Sequence, residues 1–223
     1  QIVEGFFKQA HEELAEVTIL SAEELGYLVE LLQRIVLTTI ASPEPAEKPA
    51  LMASRWTDPG PEAALPARVD QYVTDLVRYR DDAHISSWRS TGVDGKTWET
   101  LTLLWRGEAA STTEISERLA GRGYGQEDYA ESLRILTEKQ WIANGDGYRT
   151  TEQGNRVRQM AEEDTDRLFY IGWETLNQDE LNALHDLLAR LNQGLRADTL
   201  RQCWAQTRLL AQTITPITRD AVG

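Results

Sequence analysis

Cysteine is nearly absent from this sequence. Cys203 stands alone in 223 residues, which excludes an internal disulfide framework and any cysteine-rich zinc site. Long apolar runs are missing too: no stretch approaches the length of a membrane span, and the start carries no leader pattern. A single cysteine is compatible with a reducing cytoplasm, which is the expected location. Basic residues are scarce, 23 Lys and Arg against 36 Asp and Glu, for a net charge of −13. A surface that binds nucleic acid everywhere needs the opposite balance to displace counterions, so any DNA contact has to be local. There is no glycine-rich phosphate loop and no nucleophile elbow. Asp81, Asp82 and His84 sit near a helix end, where such residues read as solvated, and His11 and His185 read as partly buried core-edge histidines. No catalytic group, metal site or cofactor is expected.

What is present is apolar periodicity. Hydrophobic residues make up 41% and charged residues 26%, the balance of a helical globular chain. Ile2, Phe6, Ala10 and Leu14 step by four through a first helix to about Glu16. Ser21 and Glu24 have capping-box spacing and open a second, whose face runs through Leu25, Leu28, Leu31, Leu32 and Ile35 to about Ile40. Residues 41–66 carry most of the prolines and read as a linker in which helix is disfavoured. A long helix follows from about Arg68 to Trp88, with Val69, Tyr72, Val73, Leu76 and Tyr79 as its stripe.

The stretch from Lys96 to Gly154 holds the densest pattern. Trp98, Leu101, Leu104 and Trp105 share one face of a short helix. Ser111 and Glu114 cap a second, which packs inward with Ile115 and Leu119. Gly121, Gly123 and Gly125 supply the turn, and a third helix runs from about Gln126 to Gln140 with Tyr129, Leu133 and Leu136 inward. Residues 141–143, 144–147 and 148–150 read as strand, tight turn and strand, before a helix cap at Thr151. The expected class is mostly α with a small β wing: a winged helix-turn-helix at about 96–151, joined to long helices. Further helices are expected from Glu152 to about Trp173, from Asn177 (capped with Glu180) to about Leu195, and from Ala197 to Ala211 in a tail spanning 196–223.

An internal repeat runs through the long helices. Leu20, Glu24, Leu25, Leu28, Leu31, Leu32 and Arg34 match Leu176, Glu180, Leu181, Leu184, Leu187, Leu188 and Arg190 at a constant offset. The shared cap and arginine are not demanded by helical periodicity.

These residues resemble the MarR family of winged-helix transcription regulators. The resemblance covers Arg68 to Leu195, and rests on Trp141-Ile142 at the first strand, Thr151-Glu152-Gln153-Gly154 after the wing, and the terminal helix from Leu176 to Leu191. Residues 1–40, with Phe6, Phe7 and His11 ahead of Leu20, are similar to the two terminal helices of another copy. The resemblance therefore implies a tandem MarR-like chain, with residues 67–195 one full unit and a first winged helix upstream of Gln1. It implies a helical dimerisation core, formed either by a homodimer or as an intramolecular pseudo-dimer. It implies duplex DNA as partner, with Gln126, Ser132, Arg134 and Arg149 available to the duplex, and with Ser111, Thr112 and the second helix's N-terminus available to a phosphate. It also implies a small aromatic effector in a pocket lined by Trp88, Trp98 and Trp173, although the residues themselves favour ordinary core packing for these tryptophans, with Trp98 and Trp105 as core residues. Two features differ from the family. The wing is clipped to Asn144-Gly145-Asp146-Gly147, with only Arg149 nearby, and the outward positions of the third helix are Glu127, Glu131, Arg134 and Glu138. Carboxylates facing phosphates repel the duplex, so weak DNA contact is expected from this copy. The alternative function is a winged-helix module for protein interaction or small-ligand sensing.

Overall fold

The computed structural model describes residues 20–195. The segments Ile2–Glu16 and Ala197–Ala211, with Phe6, His11 and Cys203, lie outside the described residues. Among those described, one unit takes in 20–41, Ala53–Leu76 and 172–195, and the other Ser42–Met52 and Val77–Ile171.

The first unit is helical. Helix α1 (Ala22–Ala41) buries Leu25, Leu28, Val29, Leu31, Leu32, Ile35, Val36 and Thr39, the stripe that its spacing predicts. Its cap is reciprocal: Ser21 N–H donates to Glu24 Oε2 at 2.7 Å and Glu24 N–H to Ser21 Oγ at 3.2 Å. The last described helix, Gln178–Leu195, starts in the same way, with Asn177 N–H donating to Glu180 Oε2 at 2.8 Å and Glu180 N–H to Asn177 Oδ1 at 3.0 Å. It packs on α1. Arg34 of α1 donates to Glu180 at 2.5 Å, and Arg190 donates to Glu24 at 2.6 Å. Each arginine thus pairs with the capping glutamate of the repeat-related helix, the reciprocal pattern a two-fold interface produces. Close approach is built in at Gly172, where a Cβ would lie 2.1 Å from Thr39 Oγ1 and 2.6 Å from the Ile35 carbonyl.

The expected helix-poor linker contains a helix, α2 (Pro49–Arg55). Proline at its first position loses no hydrogen bond, since that N–H has no helical acceptor. The buried Asp82 carboxylate accepts from Ala50 N–H at 3.0 Å and Leu51 N–H at 2.9 Å, and Leu51 is buried. Asp82 is therefore a capping residue rather than a solvated one. Within the helical unit, buried Asp75 accepts from Ser54 Oγ at 2.7 Å, Gln71 Nε2 at 2.7 Å and Arg55 at 2.8 Å. Helix α3 (Leu65–Arg89) contributes residues to both units. Val69, Tyr72, Leu76 and Tyr79 are buried as its pattern predicts, whereas Val73 is exposed.

The second unit carries the winged helix: α4 (Gly95–Trp105), α5 (Thr112–Arg118), a 3-10 turn at Ala120–Arg122, α6 (Gln126–Glu138), strands β1 (Ile142–Gly145) and β2 (Gly147–Thr150), and α7 (Glu152–Tyr170). Its core gathers Trp98, Leu101, Leu104, Ile115, Tyr129, Leu133, Leu136 and Trp141. Of the three turn glycines only Gly123 takes a positive φ, 77°. The strands pair antiparallel, Ile142 opposite Thr150 and Ala143 opposite Arg149. Thr151 then locks the hairpin to α7: its hydroxyl accepts from Gly154 N–H at 3.1 Å and donates to the Gln140 carbonyl at 2.7 Å, and its N–H reaches the Trp141 carbonyl at 2.9 Å. A Cβ at Gly154 would lie 2.0 Å from that same Trp141 oxygen. Only glycine fits there. The last described helix, Gln178–Leu195, is α8.

Candidate nucleic-acid interface

The surface a helix-turn-helix offers to DNA is set by α5, α6 and the wing. In α5 the capping box forms as predicted, with Glu114 N–H donating to Ser111 Oγ at 3.2 Å. The Glu114 carboxylate also accepts from Ala110 N–H at 2.6 Å and Ser111 N–H at 3.2 Å. The helix start expected to receive a phosphate is thus already occupied by its own glutamate. Ser111 and Thr112 are half-buried.

In α6 the Asp128 carboxylate accepts from Gly125 N–H at 3.0 Å and from Lys96 at 3.3 Å. Both interactions hold Asp128 below the usual carboxylate range. Gln126 is exposed at the helix start. Ser132, expected to be available to DNA, is fully buried instead: its hydroxyl donates to the Asp128 carbonyl at 3.2 Å and meets Thr97 Oγ1 at 3.3 Å. It packs α6 onto α4, because it falls on the same side of the helix as Tyr129, Leu133 and Leu136.

Arg134 is exposed, as predicted, but bonded within its own helix. It donates to Glu131 through Nε at 2.7 Å and Nη2 at 2.6 Å, and to Glu138 through Nη1. The pairing holds Glu131 low and raises Arg134. Arg149 projects from β2 and is exposed. Arg118, in the last turn of α5, is also exposed; it lies on the outward side of a capped helix, a signal available in the sequence.

A family model described as a helix-turn-helix family matches residues 2–201. The chain belongs to that helix-turn-helix family. No curated protein and no solved structure matches it significantly. Membership supports duplex DNA as the partner of this helix-turn-helix protein, and the fold agrees with it: the described residues are rich in helix and carry one two-stranded wing. No described helix is long and apolar enough to cross a membrane.

The tryptophans divide between the units. Trp88 stacks on Trp98, with ring centroids 6.0 Å apart and planes at 16°. Trp173 belongs to the helical unit. A residue with no predicted role completes the Trp98 environment. Arg158 of α7 has a side chain only 2% exposed, lies over Trp98 at 4.6 Å and Trp105 at 4.8 Å, and donates to Glu162 at 2.8 Å. Burial lowers its pKa. Its spacing with buried Ala161, Thr165 and Leu168 puts it on the inner stripe of α7. His84 is half-buried, with Nδ1 3.3 Å from Thr165 Oγ1, and desolvation lowers its pKa. His185, expected at a core edge, is exposed.

Proposed function

We propose that this helix-turn-helix protein is a cytoplasmic MarR-like transcription regulator whose α6 and wing meet duplex DNA weakly. The observation that carries the reading is the unbroken order of capped helix, helix, recognition helix, wing and Thr151-capped helix, closed at Gly154. Arg149, Arg118, Thr112 and Gln126 are among the groups on this surface suited to phosphate or base contact. The reciprocal pairs Arg34–Glu180 and Arg190–Glu24 support a tandem origin, in which α1 and α8 supply within one chain the helix pair that a two-chain regulator draws from two subunits.

A second reading is favoured by charge: α6 carries four carboxylates and one arginine, which suits a winged helix that binds a protein or a small aromatic molecule and no DNA. Half-buried Trp88, stacked on the buried Trp98, is the part of this aromatic pair open to such a ligand. Anisotropy of a labelled random duplex separates the two. Binding that strengthens steeply as salt falls supports the regulator, since phosphate neutralisation releases counterions. Absence of binding at low salt supports the interaction module.

A further inference from the structure

Each guanidinium nitrogen of Arg134 has a carboxylate partner, and both partners come from its own helix. The side-on, two-point bond to Glu131 and the end bond to Glu138 use the same donor geometry with which arginine grips the O6 and N7 of guanine or a phosphate. Arg134 stands mid-way along the exposed stripe Glu127, Glu131, Arg134, Glu138, opposite Tyr129, Leu133 and Leu136. In helix-turn-helix docking that stripe enters the major groove. The side chains of Arg134, Glu131 and Glu138 are 55%, 49% and 61% exposed, so water screens the pairs and they exchange readily. Glu127 shares the stripe and makes no bond to Arg134.

We propose that Arg134 is the base-reading residue of this recognition helix, and that Glu131 and Glu138 are built-in competitors that hold its guanidinium until a guanine displaces them. The proposal rests on the DNA-binding reading above. The charge of the competitors lowers affinity for every duplex. The clamp adds a cost only where Arg134 must leave its partners, so it limits how much the guanine contact contributes to binding.

The test is a comparison of Arg134→Gln in two backgrounds of the full chain, wild type and Glu131→Gln/Glu138→Gln, with anisotropy of a guanine-rich duplex at low salt. The charge removed is the same in both backgrounds, so long-range repulsion cancels. The double glutamine variant should bind more tightly than wild type and more tightly than Glu127→Gln. Loss of Arg134 should cost it about fivefold more than it costs wild type, the scale of two exposed helical pairs. Circular dichroism should show unchanged helicity, since all these side chains are exposed. An equal cost of Arg134→Gln in both backgrounds overturns the clamp while leaving DNA binding intact. Absence of salt-dependent binding in every variant overturns both.

Discussion

Two glycine-to-alanine substitutions should change stability in opposite directions. At Gly154 the added methyl would meet the Trp141 carbonyl oxygen at 2.0 Å, with the carbonyl carbon at 2.9 Å. These are backbone atoms at the start of the wing and cannot swing aside. Relief requires the start of α7 to move off β1, which strains packing by about 1–3 kcal/mol. The same motion lengthens the Thr151 N–H bond to the Trp141 carbonyl, worth about 1 kcal/mol. Alanine's helix propensity returns about 1 kcal/mol, leaving a net loss of about 1–3 kcal/mol. At Gly26, inside α1, nothing lies within 4 Å of an added Cβ. There propensity and a less flexible unfolded chain act unopposed and stabilise by about 0.5–1 kcal/mol. Urea unfolding followed by tryptophan fluorescence and circular dichroism reads both changes. A Gly154→Ala protein as stable as wild type would refute the close approach between α7 and the wing.

Trp98→Ala should cost about 3–5 kcal/mol in denaturant unfolding, because Trp98 is 3% exposed between Trp88 and Arg158; a loss below about 1 kcal/mol would show that the indole is not a core residue. Asp82→Ala should cost about 1–2 kcal/mol by uncapping α2, and protease cutting between residues 49 and 58 should accelerate; unchanged proteolysis would contradict the cap. The Glu24 carboxyl is held down from 4.5 to about 2, first by its hydrogen bond from Arg190 and then by the Ser21 N–H. Because the folded value is the lower one, its contribution is fully present above about pH 4.5 and is lost as pH falls through about 2. Glu24→Gln should therefore flatten the acid side of the stability–pH curve over that window, and an unaltered curve would refute the pairing with Arg190.

Local structure was legible where the partners are close in sequence. The capping boxes at Ser21–Glu24, Ser111–Glu114 and Asn177–Glu180 follow from three-residue spacing, and all three form. Recognition helix, wing and Thr151 cap follow from periodicity and turn residues. The repeat matched caps and arginines at one offset, but which glutamate each arginine reaches, Arg34 to Glu180 and Arg190 to Glu24, appears only once the two helices are packed together. Helix α2 was hidden, since its cap comes from Asp82 on a distant segment and no local rule sees it. Arg158 was hidden because a charged residue on an inner stripe reads as an interruption until two tryptophan faces are found to cover it. Ser132 was misplaced as a contact for DNA because serine reads as a surface residue, whereas its neighbours Tyr129 and Leu133 already mark that side of α6 as inward. At the interface, charge counting revealed an acidic helix. That Arg134 is shared between Glu131 and Glu138 depends on side-chain directions that a count does not contain.

The most direct test of the account is the salt dependence of duplex binding by the full chain, wild type against Arg149→Gln. The account predicts a dissociation constant weaker than roughly 10⁻⁶ M at physiological salt, tightening as salt is lowered. In Arg149→Gln the log–log slope should be shallower by about 0.9, the loss of one phosphate contact. Binding that ignores salt, or a nanomolar sequence-selective complex at physiological salt, would contradict it.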